Sequence, residues 1–266
     1  MRTKTAFFRG WIGLVACVAA LGAPVVEIVP SAVPGVALSG PSAPDFASRL
    51  AGILPDEEVL NRLKPAAGNI LILTNSTLRA IVFYTLRFEI EGQQPVKTVS
   101  ADFDDPAIGG KTHSFKPESY RLVSIVRGLD PVSDGLATES RNPEVYRQFL
   151  ADSARYSGAR VRVSLDSVVF DDGQFSGPDR TGMFDRLRQQ SAARHALLEE
   201  IRSLDASPDA ALQSRLEGIL ANTSTDAAAM KQKALARSFD AVLRRRGHGA
   251  MKIMLENMVD YPAIRR

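Results

Sequence analysis

ARVRVSLDSVVFDDGQFSGPD, residues Ala159–Asp179, decides how this chain divides. Val161, Val163, Leu165 and Val169 alternate with Arg162, Ser164, Asp166 and Val168, the period-two signature of a strand. Asp172-Gly173 between Phe170 and Phe175 predicts a tight hairpin, because glycine accepts positive φ and aspartate tolerates it. Gly177-Pro178 ends the extended pattern, and Asp179 or Thr181 is placed to cap a helix. The chain before this stretch is β-patterned and the chain after it is helical. The expected class is therefore α+β: an antiparallel immunoglobulin-like β-sandwich with short N-terminal helices and a C-terminal α-helical region.

Working back toward the N-terminus, Tyr120–Val126 and Pro95–Phe103 are apolar enough for strands. The clearest strand places Ala80, Val82, Tyr84, Leu86, Phe88 and Ile90 on one face, while the other grades from Ile81 and Phe83 to Thr85, Arg87, Glu89 and Glu91. Ile70–Thr74 is a continuous apolar run closed by Asn75-Ser76. Before it, Phe46, Leu50, Ile53 and Leu54, then Val59, Leu60 and Leu63, form short amphipathic helices, the first opened by Asp45. Residues 23–45 carry Pro24, Pro30, Pro34, Pro41 and Pro44 and predict an extended linker. Residues 128–157 form an excursion with loop signals and a helix from about Glu144 to Tyr156.

Beyond Asp179 the period becomes 3.6. Phe184, Leu187, Leu198 and Ile201 form one stripe, and Leu212, Leu216, Ile219 and Leu220 a second. Met230, Leu235, Phe239, Val242 and Leu243 form a third helix, opening at Thr225-Asp226 and ending at Gly247, and a fourth covers Met251–Val259. The expected domains are a signal peptide over 1–22, the linker over 23–45, short helices plus the sandwich over 46–179, and a helical region over 180–266.

Asn69-Ile-Leu-Ile-Leu-Thr-Asn-Ser-Thr77, Ile81-Val-Phe-Tyr84, and Val168-Val-Phe-Asp-Asp-Gly173 with Gly177-Pro-Asp179 resemble a group of uncharacterised secreted bacterial proteins. In these an immunoglobulin-like domain ends in a similar FxDG…GPD segment and is followed by helices. The resemblance spans roughly residues 68–200 and implies a fold; it implies no activity and no site residues.

Arg2, Lys4 and Arg9 precede an apolar core, Trp11–Leu21, and small residues, which predicts an export signal cleaved near Gly22 or Ala23. The apolar run is shorter than the roughly 20 residues a spanning helix needs. Leu14-Val-Ala-Cys17 resembles a lipobox, so acylation of Cys17 ranks second to cleavage, and an uncleaved anchor is a further alternative. Residues 23–179 hold 15 basic and 20 acidic side chains, a net of −5, and residues 180–266 hold 15 and 10, a net of +5. Those charges cancel, which argues against a nucleic-acid partner.

His113, His195 and His248 are the three histidines, none at ligand spacing, and Cys17 is the one cysteine, so a His/Cys zinc site is not expected. No nucleophile elbow, P-loop or dinucleotide fingerprint occurs. No catalytic residue and no cofactor is therefore expected. Aspartates in two clusters, Asp102, Asp104 and Asp105, and Asp166, Asp171, Asp172 and Asp179, could supply oxygen ligands to a metal. The metal candidates are Asp166, Asp171 and Asp172, but aspartates are ordinary turn and cap residues, and that reading is preferred over a metal site. Arg244-Arg245-Arg246 suits a basic last turn.

The expected role is an exported, non-enzymatic, envelope-associated module that binds a protein or an envelope polymer. It would be periplasmic, envelope-attached or extracellular, and would touch the membrane through an uncleaved signal or a lipidated Cys17. Two alternatives stay open: a carboxylate-dependent glycan hydrolase and a helical oligomerisation or scaffold protein.

Overall fold

The structure is a computed structural model that describes residues 23–54, 57–93, 95–102, 114–125, 143–204, 209–258 and 262–266. The α+β class stands. Strands β1 (Val25–Ile28), β2 (Val36–Ser39), β3 (Ile70–Asn75), β4 (Ile81–Ile90), β5 (Lys97–Asp102), β6 (Ser119–Ser124), β7 (Arg160–Phe170) and β8 (Phe175–Ser176) form two open sheets. One has the order β2-β3-β6 with both pairings antiparallel; the other has the order β1-β7-β4-β5, with β8 also on β7. The pair β1–β7 is parallel, a departure from the purely antiparallel expectation.

The linker expected over residues 23–45 is a correction. Prolines bracket short apolar segments here, and each segment pairs along a sheet edge. Val25–Ile28 lies beside Arg160–Val163, held by Val25 N–H to the Ala159 carbonyl and Val29 N–H to the Val163 carbonyl, both 2.8 Å. Val36–Ser39 pairs with Ile72–Asn75, and Ser76 N–H donates to the Gly35 carbonyl at 2.7 Å. Proline is compatible with such places because edge strands and strand starts leave its missing N–H unneeded. Pro34-Gly35 makes the turn: Gly35 has φ +76°, and a Cβ there would meet the Thr77 methyl at 2.8 Å. Composition misleads in this stretch because its backbone partners lie far along the chain.

The chain forms two compact units. The first takes in residues up to Ala80, then Tyr84–Ala101 and Phe115–Asp166; the second contains Ile81–Phe83 and Ser167–Arg266. The division thus falls inside β7, not at residue 180, because the β7–β8 hairpin packs with the helices that follow it. In the first unit, helices α1 (Phe46–Ile53) and α2 (Glu57–Leu63) and a 3₁₀ turn (Lys64–Asn69) give Phe46, Leu50, Leu60, Leu63 and Ala66 to one core. Ile70 and Ile72 of β3, Leu122 of β6 and Phe149 of α3 (Pro143–Ala154) complete it. The helix expected in the 128–157 excursion is therefore present and packed, while residues 126–142 lie outside the described residues.

In the second unit Val82, Phe83, Val169, Phe175, Met183 and Leu187 form one apolar cluster. Helices α4 (Met183–Ser203), α5 (Asp209–Ala221) and α6 (Ala227–Asn257) share another, with Leu198, Ile201, Leu212, Leu216 and Phe239 at its centre. The expected break at Gly247 is real: its φ of 77° and ψ of 179° interrupt α6, so the third and fourth helical patterns join across a kink. Asp226 caps α6 through Ala229 N–H, whereas the Asp45 side chain makes no cap bond and instead pairs with Arg49 at 2.7 Å.

Candidate functional site

The alternation of β7 turns Val161 and Val163 inward and leaves Arg160 and Arg162 exposed. Parallel pairing with β1 sets Glu27 opposite Arg162 in the register. The Arg162 guanidinium lies 3.4 Å from Glu27 and 4.0 Å from Glu89 of β4, and Glu89 continues to Arg87 at 3.2 Å. Arg160 and Glu91 form a second pair at 3.7 Å, beside the main-chain bond from Glu91 N–H to the Arg160 carbonyl. Gly92, at φ +74°, turns the chain after β4. Glu27, Glu89, Glu91, Gly92, Arg160 and Arg162 line an open depression of about 760 Å³ whose walls also include Val25, Ile90, Gln93 and Val161. Val25 is 64% exposed, an apolar side chain at its rim.

This shelf can do a particular kind of chemistry. Carboxylates and guanidiniums alternate across three strands, so it offers acceptors and donors at fixed spacings. Arg87 and Glu89 are half-buried, whereas the Arg162–Glu27 and Arg160–Glu91 pairs are solvent-exposed, and such exposed pairs contribute about 0–1 kcal/mol each. Exchanging a partner within them for a ligand group therefore costs little.

Among the described residues, the aspartates Asp166, Asp171, Asp172 and Asp179 form no group of three that could hold a metal. Asp166 is buried at 1% exposure within β7, while Asp171 is exposed just beyond the strand. Asp172 makes the hairpin: its Oδ1 accepts from Gln174 N–H at 3.0 Å, and Arg265 approaches it at 4.0 Å. Asp179 accepts from Phe184 N–H at 3.1 Å and from the Arg266 guanidinium at 2.8 Å. Among the described residues no three His, Cys, Asp or Glu side chains converge where a metal could sit. Asp104, Asp105, His113 and Cys17 lie outside the described residues.

Arg244 is committed to α6 and α5 rather than to a helix terminus. It bonds Asp240 at 2.7 Å and Glu217 at 2.9 Å, and the Asp240 carboxylate, then Glu217, raises the guanidinium above its ordinary value. The shelf residues were visible in sequence as the wet faces of two strands, but Glu27 stood in a stretch that resembled a linker. A charged residue inside a short apolar run between prolines was the one local hint.

The chain matches no known protein family, no curated protein and no solved structure.

Proposed function

We propose that this chain is an exported, envelope-associated binding module without catalytic activity, and that the charged shelf across β1, β7 and β4 is the surface that meets its ligand. The shelf carries the reading. A wide, open surface that carries exposed ion pairs beside apolar side chains suits an extended chain with polar groups, such as an envelope glycan or a peptide; a compact apolar ligand would need a more enclosed pocket. An immunoglobulin-like sandwich is the architecture we assign to the β-rich part, supported by the presence of two open sheets, of which β2-β3-β6 is antiparallel throughout. Export is supported by the basic and apolar pattern of residues 1–22.

The test is co-sedimentation with purified peptidoglycan, in parallel with capture of defined envelope proteins, using the wild type, Arg162→Glu and Glu27→Lys. Retention should fall at least tenfold in both variants while their melting temperatures stay within a few degrees. Equal retention of all three would remove the shelf from the reading. Fractionation of cells expressing the full chain tests export: recovery wholly in the cytoplasm would overturn it.

One observation favours glycan hydrolysis as the second reading. A single guanidinium, that of Arg162, contacts both Glu27 and Glu89, so two carboxylates lie close together in the depression. Glycosidases place two carboxylates about 5–10 Å apart. Release of soluble sugar from peptidoglycan by the wild type, lost in Glu89→Gln, would establish it in place of the binding reading.

A further inference from the structure

The segment Pro262–Arg266 meets the β7–β8 hairpin through an isolated parallel bridge. Gln174 and Arg265 form a parallel bridge in which Phe175 N–H donates to the Arg265 carbonyl at 2.6 Å and Arg265 N–H donates to the Gly173 carbonyl at 2.9 Å. The receiving side is shaped for this. Gly173 has φ +81°, and a Cβ there would stand 2.6 Å from the Ala263 carbonyl oxygen, so a residue with a side chain would push the segment away. Asp179 holds φ 54°, a left-handed conformation that aspartate tolerates. Its carboxylate takes Arg266 at 2.8 Å, and the same guanidinium lies 4.5 Å above the Phe184 ring. Arg265 approaches Asp172 at 4.0 Å.

The segment contributes little to the core. Ile264 is half-buried against the cluster of Val82, Phe83, Val169, Phe175, Met183 and Leu187, whereas Pro262, Ala263, Arg265 and Arg266 are exposed. A cavity of about 50 Å³ remains beside Ile264, bounded by Phe83, Leu187 and Pro262. These are the features of strand-addition recognition: main-chain bonds supply attachment and side-chain pockets supply selectivity.

We propose that the β7–β8 hairpin and the first turn of α4 form a peptide-recognition site for an extended segment bearing an apolar residue followed by two arginines, occupied in cis by Pro262–Arg266. The covalent occupant acts at an effective concentration of about millimolar, so a partner peptide of the same pattern must displace it. The site is separate from the charged shelf and does not depend on it.

The probe is an acetylated, amidated and dye-labelled peptide, Pro-Ala-Ile-Arg-Arg. The receptor is the full chain carrying Ile264→Asp and Arg266→Glu, which releases the segment. Anisotropy should show binding at least tenfold tighter than to the wild type, where the cis segment competes. Adding Gly173→Ala should abolish it, and Asp179→Ala should weaken it several-fold. A peptide with Phe in place of Ile should bind at least as tightly, because the cavity beside Ile264 accepts the larger group. If the released chain keeps its native circular dichroism and yet fails to bind, or if binding survives Gly173→Ala, the proposal is overturned. Should the double variant not fold, Arg266→Glu by itself, a change at one exposed side chain, serves as receptor with the same two outcomes deciding.

Discussion

Asn75 shows how much one side chain can organise. It is fully buried, and its amide donates to the carbonyls of Arg79 at 2.8 Å, Lys116 at 3.1 Å and Phe115 at 3.3 Å. Its oxygen accepts from Thr77 N–H at 3.1 Å and the Thr77 hydroxyl at 2.7 Å. Alanine would remove this partner from the buried Phe115 carbonyl and from the part-buried Lys116 carbonyl and Thr77 N–H, while the Arg79 carbonyl keeps the Thr77 hydroxyl at 3.0 Å; a buried group left unsatisfied costs about 1–3 kcal/mol. Asn75→Ala should therefore lower the unfolding free energy by about 2 kcal/mol or more in urea titration. Asp226 acts by charge. The Ala229 N–H, then the Ser224 hydroxyl, holds its carboxyl below the ordinary aspartate range. A group whose folded pKa is depressed stabilises above its unfolded value, near pH 4, and loses that contribution as pH falls through the folded pKa. The melting-temperature gap between the wild type and Asp226→Ala should thus be full at pH 7 and close below about pH 4; parallel curves down to pH 2 would refute the cap's ionic part. Both residues carried local signals in sequence, Asn75-Ser76 as a turn and Thr225-Asp226 as a helix start. The three carbonyls that Asn75 meets did not.

At the level of elements, helices and central strands followed periodicity closely. Leu198 and Ile201 of α4 joined residues of α5 and α6 in one apolar cluster, and Phe239 at its centre is 0% exposed, whereas Phe184 and Leu187 of α4 pack with Val169 and Phe175 instead. Phe239→Ala should cost about 3–5 kcal/mol, read as a lowered denaturant midpoint. Between these helices Arg215 bonds both oxygens of Glu200, which raises its guanidinium above the ordinary value, and Arg244 bonds Glu217. Edge strands were harder to foresee. β1 and β2 are four residues each, too short for a period and flanked by prolines, and their identity comes from the strands beside them. Removing residues 23–39 should lower the denaturant midpoint markedly, because it exposes β7 and β3 along an edge. Removing a mere tether would leave the midpoint unchanged.

At the scale of the whole molecule, what matters is which distant segments share a surface. The shelf joins Glu27, Glu89 and Arg162 from three separated parts of the chain, and its exposed charges are screened by salt. A ligand bound through the shelf should be released progressively between about 0.05 and 0.5 M salt, followed by co-sedimentation; salt-independent binding would place the contact elsewhere. The sequence by itself determined the α+β class, the position of the hairpin at Asp172-Gly173, the three helical stripes and the break at Gly247. Those features follow from side-chain period, glycine's access to positive φ and capping chemistry, which act over a few residues. Tertiary structure alone decided that a proline-rich stretch supplies two edge strands, that Glu27 faces Arg162, and that Pro262–Arg266 lies on the hairpin. Each of these depends on backbone groups and charges far apart in sequence finding one another, and no local pattern encodes the partner.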